Sequence, residues 1–120
     1  MTALESLFKS YKEGTSLSCV TAYDASIAKY LETQGIKIIL VGDSLGQVIK
    51  GNKSTHNVSL QEVIYHAKCV TSGAKRATVM VDLPKNTYNT KLHAFKNSKK
   101  LIDNNLADLI KIEVDSDNLD

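Results

Sequence analysis

The amino-acid sequence predicts an α/β fold in which a parallel sheet is built from successive β/α units, preceded by one helix. Short aliphatic runs alternate along the chain with segments whose apolar residues recur at helical spacing, and glycine or acidic residues stand at most junctions. This alternation is typical of parallel sheets covered by helices. The 120 residues are enough for one domain, 1–120, whereas a complete (β/α)8 barrel needs roughly 200–250 residues.

The first β/α unit follows a short N-terminal helix. That helix is predicted by apolar residues at positions i, i+3, i+4 and i+7, namely Leu4, Leu7, Phe8 and Tyr11. Residues 17–23 have the composition of a strand. Asp24 or Ser26 can then cap a second helix, which we expect to stop at Gly35.

Three further strands and two further helices complete the predicted order. The strands are expected at 37–41, 77–81 and 109–114. A long polar connection, 45–58, separates the second strand from a helix that opens with a capping box at 59–62 and ends at Gly73. Another helix is expected near 90–105, and a short acidic tail follows the fourth strand.

Charge and cysteine usage exclude several classes of protein. Arg76 is the only arginine among fifteen basic residues, which argues against a nucleic-acid surface because arginine is the usual reader of phosphates and bases. Cys19 and Cys69, expected to be buried or half-buried, form no Cys-x-x-Cys pair, so we expect no zinc site. The longest apolar run, 38–41, is too short to cross a membrane, and no secretory signal is recognisable. A cytoplasmic protein is expected.

Three carboxylates stand at or near the carboxyl ends of predicted strands: Asp43, Asp82 and Glu113. Ligands bind at this edge of a parallel sheet. Carboxylates brought together repel one another unless a cation compensates them, and hard oxygen ligands suit Mg²⁺. The pattern therefore predicts a magnesium site, with helix capping as the alternative explanation of the acidic residues.

The tetrapeptide Gly42-Asp43-Ser44-Leu45 also matches the signature of the GDSL hydrolases, in which the serine is a nucleophile. That chemistry needs a histidine base oriented by an acid, and the usual partner in those enzymes is an Asp-x-x-His. The three histidines are His56, His66 and His93, preceded at that spacing by Lys53, Val63 and Thr90. Because none has the acid, a serine esterase using Ser44 is only a remote alternative.

A longer resemblance runs from about residue 4 to Glu113. Its blocks are Val20-Thr21-Ala22-Tyr23-Asp24, Leu40-Val41-Gly42-Asp43-Ser44-Leu45-Gly46, Tyr65-His66 with Gly73-Ala74, Val81-Asp82-Leu83-Pro84 and Ile110-Lys111-Ile112-Glu113. In this order they resemble the ketopantoate hydroxymethyltransferase family of pantothenate biosynthesis. The resemblance implies the first four strands of a TIM (β/α)8 barrel. It also implies a Mg²⁺-dependent enzyme that transfers a one-carbon unit from 5,10-methylenetetrahydrofolate to 2-oxoisovalerate and forms homo-oligomers, commonly decamers.

The resemblance also implies roles for individual residues. Asp43, Asp82 and Glu113 are similar to the metal-site carboxylates of the family, and Asp43, Ser44, Asp82 and Lys111 to its substrate-binding residues. Lys111 and Glu113 are two residues apart on one strand, so their side chains are expected on the same side of it.

The family's proton-abstracting glutamate lies beyond residue 120, so no catalytic base is expected within the chain. We therefore expect a truncated form with a metal half-site, the alternatives being one half of a split enzyme or a non-catalytic remnant. Tyr23 and Asp24 either border the site or form a turn and a helix cap, and His66 is expected in packing. Lys85 stands where the family usually has an apolar or aromatic residue.

Overall fold

The computed structural model describes residues 1–114, which form five helices and four strands. The predicted acidic tail lies outside the described residues. In chain order the elements are α1 (Ala3–Lys12), β1 (Cys19–Thr21), α2 (Ala25–Thr33), β2 (Ile38–Val41), α3 (Leu45–Val48), α4 (Leu60–Gly73), β3 (Thr78–Asp82), α5 (Lys91–Ile102) and β4 (Leu109–Lys111).

The four strands make one parallel sheet in the order β1-β2-β3-β4. Ile39 pairs with Val20 on one side and with Val79 on the other, and Asp82 pairs with Lys111. Because the strands are in sequence order and all parallel, their carboxyl ends lie along a single edge of the sheet. The predicted fold class is confirmed.

Side-chain caps begin the helices where the sequence predicted them. The Asp24 carboxylate accepts a hydrogen bond from the Ile27 backbone N–H at 2.8 Å, at the start of α2. Ser59 and Glu62 form the predicted capping box of α4, with reciprocal hydrogen bonds of 3.1 and 3.0 Å. Each cap satisfies a backbone donor that the first turn of a helix leaves unpaired.

The core lies between one face of the sheet and the helices that cover it. Its fully buried members include Ile39, Val41 and Val81 from the strands, Ala28, Val63, Ala67 and Val70 from α2 and α4, and Leu101 from α5. Each buried Val, Leu or Ile side chain contributes roughly 1.5–3 kcal/mol relative to exposure. Leu40, Met80 and Leu109, which are in register on the other face of the sheet, are half-buried.

Gly73 permits the close approach of α4 and α2. A Cβ atom at this position would lie 2.0 Å from the carbonyl oxygen of Ala25. Only a residue without a side chain fits there unless the backbone moves, so this glycine sets the spacing of the two helices.

The sequence predicted 45–58 as a long polar connection and identified no helix in its first residues. They form α3, in which Leu45 and Gly46 are buried. A Cβ on Gly46 would lie 2.8 Å from Cγ2 of Val58, so this glycine lets the rest of the connection fold back on the helix. A helix of four residues is too short to show an apolar period.

The predicted apolar stripes of the outer helices are only partly buried. In α1, Leu7 is buried but Phe8 and Tyr11 are 55% and 74% exposed. In α5 the buried positions are Asn97 and Leu101, whereas Phe95 is exposed. The Asn97 amide donates a hydrogen bond to the Thr87 carbonyl at 2.7 Å, so the buried polar side chain is satisfied.

Other boundaries and exposures also differ from expectation. The first strand is Cys19–Thr21 rather than 17–23, and the fourth is Leu109–Lys111 rather than 109–114. Cys19 lies on the edge strand β1 and is exposed, which corrects its expected burial, whereas Cys69 is half-buried as expected. Among the described residues, no helix is long and apolar enough to span a membrane.

Candidate active site at the carboxyl ends of the strands

The carboxylates predicted from the strand ends surround one cavity of about 200 Å³. Asp43 comes two residues after the end of β2, Asp82 is the last residue of β3, and Glu113 follows β4 by two residues. The cavity is lined by Asp43, Thr55, His56, Asp82, Leu83, Lys85, Tyr88 and Glu113. The parallel register is what brings these residues together, although 31 to 70 positions separate the three carboxylates in sequence.

Asp82 is the buried acid of the cavity, with only 2% of its surface exposed. Its Oδ2 atom lies 3.4 Å from Nζ of Lys111. Its Oδ1 atom is buried and has no hydrogen-bond partner among the described residues. Burial raises the pKa of Asp82 to about 6; Lys111 opposes the rise, and the charges of Asp43 and Glu113 add to it.

Lys111 contacts two of the three carboxylates. Its ammonium group forms ion pairs with Asp82 and with Glu113, although Glu113 lies beyond the end of β4 rather than on the strand. Desolvation alone would lower the pKa of Lys111, but the hydrogen bond to Glu113 and the charge of Asp82 together raise it. The hydrogen bond from Lys111 also lowers the pKa of Glu113. The two carboxylates therefore favour the charged form of the ammonium group beside the cavity.

The side chains that line this cavity include the oxygen ligands that a hard divalent cation prefers. The unpartnered Oδ1 of Asp82 is a buried anionic oxygen that a cation would satisfy, and the neighbouring carboxylates of Asp43 and Glu113 are hard oxygen donors, with the imidazole of His56 also lining the cavity. Within residues 1–114, however, no three His, Cys, Asp or Glu side chains are close enough together to hold an ion as they stand. The three-carboxylate magnesium site therefore stays a prediction.

Ser44 directly follows the cavity residue Asp43 and occupies the N-cap position of α3. Its hydroxyl group is hydrogen-bonded to the hydroxyl of Tyr23. Among the described residues it forms no hydrogen bond with a histidine, and the Nδ1 of His66 lies 2.8 Å from the backbone carbonyl oxygen of Tyr23. The structure thus gives Ser44 a phenol partner rather than the imidazole that a serine nucleophile requires.

Tyr88 is a cavity residue that sequence reasoning missed. Its hydroxyl donates a hydrogen bond to the backbone carbonyl of Glu113 at 2.9 Å, which ties the loop after β3 to the segment after β4. Burial raises the pKa of Tyr88, and the charge of Asp82 adds to the rise. Its position after the Asp-Leu-Pro block was the only signal available in the sequence, because the contact depends on how two loops fold.

Fold and site together define a β/α-barrel type of protein with charged groups converging at the carboxyl ends of its strands. Solved structures with the same fold include phosphonopyruvate hydrolase in complex with oxalate and Mg²⁺. That match has a TM-score of 0.77 and 14% identity, and covers 100% of this chain and 43% of the hydrolase. A 2,3-dimethylmalate lyase of the PEP mutase/isocitrate lyase superfamily matches with a TM-score of 0.72 and 17% identity. That match covers 98% of this chain and 44% of the lyase. The four strands are thus the first four of a TIM barrel.

Sequence comparison identifies the family. The ketopantoate hydroxymethyltransferase family profile matches residues 1–120, and the chain belongs to this family. The 3-methyl-2-oxobutanoate hydroxymethyltransferase of Janthinobacterium sp. (strain Marseille) is 44% identical over 110 residues, 92% of this chain and 40% of that protein. The enzyme of the same name from Methylococcus capsulatus (strain ATCC 33009 / NCIMB 11132 / Bath) is 41% identical over 117 residues, which are 98% of this chain and 44% of that protein. The chain thus spans less than half the length of these relatives.

Proposed function

We propose that this chain supplies the Mg²⁺- and 2-oxo-acid-binding part of a 3-methyl-2-oxobutanoate hydroxymethyltransferase. The reaction transfers a one-carbon unit from 5,10-methylenetetrahydrofolate to 2-oxoisovalerate in pantothenate biosynthesis. The observation that carries the proposal is the buried Asp82, with one oxygen unpartnered and the other beside the ammonium group of Lys111. Family membership supplies the reaction.

The roles proposed for the residues follow from their charges. Asp43, Asp82 and Glu113 would hold Mg²⁺, which when bound supplies Lewis-acid polarisation of the 2-oxo group. Lys111 binds the carboxylate of the 2-oxo acid, and Ser44 donates a hydrogen bond to the same anion. The proton acceptor and the rest of the folate-binding wall are proposed to come from residues outside 1–120.

The charge of the cavity supports a requirement for the cation. Three carboxylates line it, as does the exposed Lys85, and the ammonium group of Lys111 lies beside Asp82. A monoanionic 2-oxo acid is repelled by this excess of negative charge unless a divalent cation is present. We therefore expect 2-oxoisovalerate to bind only together with Mg²⁺.

Isothermal titration calorimetry on the full chain tests this expectation. MgCl2 is titrated alone, and 2-oxoisovalerate is then titrated with and without saturating Mg²⁺. Binding of the 2-oxo acid is expected only with Mg²⁺, and Asp82→Asn is expected to abolish it. Asp103→Asn is the matched control, because it changes an exposed carboxylate at the end of α5. A chain that is folded by circular dichroism but shows no Mg²⁺-dependent binding refutes the proposal and favours a non-catalytic role.

The remaining barrel strands define the partner we propose. Whether they belong to the same polypeptide or to a complementing one, their proposed place is against β1 and β4, the two edge strands of the sheet. Co-expression of this chain with the remaining part of the Methylococcus capsulatus relative is expected to give a soluble complex that forms ketopantoate. Light scattering then measures whether the assembled barrels form a homo-oligomer such as a decamer. An active complex requires Asp82, so the Asp82→Asn chain is the negative control.

A further inference from the structure

Ser44 is the N-cap residue of α3, but its side chain does not cap the helix. An N-cap serine normally accepts a hydrogen bond from a backbone N–H of the first turn. Ser44 makes no such side-chain bond to α3, and its backbone is already helical, with φ −58° and ψ −15°. Its hydroxyl is bonded to the hydroxyl of Tyr23 instead. The side chain is therefore available for a contact outside the helix.

Tyr23 is held in place from two directions. Its ring is buried and meets the ring of His66 edge to face, with centroids 6.2 Å apart and an interplanar angle of 89°. Its carbonyl oxygen is 2.8 Å from Nδ1 of His66, which must be the donor because a carbonyl only accepts. His66 also contacts the ring of Tyr65 at 5.2 Å. Helix α4 thus fixes both the backbone and the ring of Tyr23.

The group that Ser44 contacts determines which hydroxyl, that of Tyr23 or that of Ser44, donates the hydrogen bond between them. The oxygens of a 2-oxo acid anion carry no proton, so a hydroxyl that contacts them must donate. A serine hydroxyl has one proton and two acceptor positions. When Ser44 donates to the anion it can still accept from Tyr23, and a chain of donors in one direction polarises each successive bond.

We propose that Tyr23 is a positioning residue of the 2-oxo-acid site: its hydroxyl donates to Ser44 Oγ and so directs the Ser44 proton toward the bound anion. This inference rests on the proposed function. Tyr23→Phe isolates the effect, because it removes only the hydroxyl and keeps the ring against His66 and the backbone carbonyl that His66 binds. Tyr65→Phe is the matched control, since Tyr65 is exposed, also contacts His66, and lies outside the hydrogen bond to Ser44.

The test is a double-mutant cycle of 2-oxoisovalerate affinity measured by calorimetry with saturating Mg²⁺. Tyr23→Phe is expected to weaken binding about 3- to 10-fold, the range of one hydrogen bond. In the Ser44→Ala background the same change is expected to have no further effect. The affinity for Mg²⁺ alone is expected to stay unchanged in Tyr23→Phe, and Tyr65→Phe is expected to bind both ligands like the wild type.

Two outcomes overturn the inference in distinguishable ways. An equal loss from Tyr23→Phe in the wild-type and Ser44→Ala backgrounds, or a parallel loss of Mg²⁺ affinity, means that Tyr23 acts through packing alone. A folded wild-type chain that binds no 2-oxoisovalerate refutes the proposed function, and with it the role of Tyr23 in that site. In either case, coupling between the two substitutions in urea unfolding reports whether the hydrogen bond itself forms.

Discussion

Asp82→Asn is expected to stabilise the metal-free fold at neutral pH while destroying the site. The carboxylate of Asp82 is 2% exposed, and its Oδ1 is without a hydrogen-bond partner among the described residues. Asn has nearly the same shape and carries no charge, so it removes the cost of burying an anion. Lys111 keeps Glu113 as an ion-pair partner in the variant. The gain in stability is therefore not offset by a newly unpaired ammonium group.

The magnitude follows from the pKa of Asp82, which burial raises from the ordinary value of 3.8 to about 6. Each pKa unit corresponds to about 1.4 kcal/mol, so the shift amounts to roughly 3 kcal/mol of stability. The pKa of Asp82 is higher in the folded chain than in the unfolded chain, so this contribution to the free energy of unfolding is fully present below about pH 4. It is lost as the pH rises through 6. Above that pH the wild type is expected to be less stable than Asp82→Asn by up to about 3 kcal/mol.

The assay is urea unfolding followed by circular dichroism from pH 4.5 to 8, with EDTA present. The quantity of interest is the difference in unfolding free energy between wild type and Asp82→Asn, because titrating groups that do not interact with Asp82 cancel in it. Adding Mg²⁺ at 100 times its Kd is expected to stabilise the wild type by about 2.7 kcal/mol and to leave the variant unchanged. Asp103→Asn, an exposed substitution, is expected to follow the wild type within about 0.5 kcal/mol at every pH.

A difference that is constant with pH would refute this reasoning, because the cost would then not be one of ionisation. A wild type that becomes more stable relative to the variant between pH 5 and 7 would contradict the direction of the shift. It would mean that Lys111 outweighs the burial of Asp82, and that the pKa of this carboxyl is lowered.

Three further changes test the site and the packing. Lys111→Met is expected to raise the calorimetric affinity for Mg²⁺ and to lower that for 2-oxoisovalerate, and losses of both would contradict its assigned role. Glu32→Ala is expected to cost about 2–4 kcal/mol in urea unfolding, since Glu32 accepts backbone N–H groups of Arg76 and Ala77 at 2.6 and 2.7 Å; Glu32→Gln should cost less. Gly73→Ala is expected to cost about 1–3 kcal/mol by forcing α4 away from α2, and an unchanged urea midpoint would refute that packing.

The sequence was sufficient for the features that depend on local chemistry. The caps at Asp24 and Ser59 are hydrogen bonds between residues three apart, so a short stretch of sequence contains all of the interaction. The apolar run at 37–41 has a buried strand as its simplest explanation, and β2 occupies Ile38–Val41. The strand ends then place Asp43 and Asp82 at one edge because every strand is parallel.

Features that depend on tertiary packing could not be predicted in this way. The sequence predicted a helix near 90–105 but not that the polar Asn97 is buried in it, where its amide donates a hydrogen bond to the Thr87 carbonyl. The contact of Tyr23 with Ser44 joins the ends of two neighbouring strands, and no spacing in the sequence encodes it. The ion pair of Lys111 with Asp82 depends on the register of β3 against β4.

Burying the charged groups of the cavity costs folding free energy, so stability alone would not favour the residues found there. Asp82 buries an anion with one oxygen unpaired, and a single ammonium group serves both Asp82 and Glu113. An apolar or amide residue in place of Asp82 would make a more stable fold. Such a cost is typical of residues retained for a function that opposes stability. Under the proposed function, a divalent cation would offset this cost and leave Lys111 free to bind the substrate anion, so the destabilising group and the ligand requirement would have the same cause.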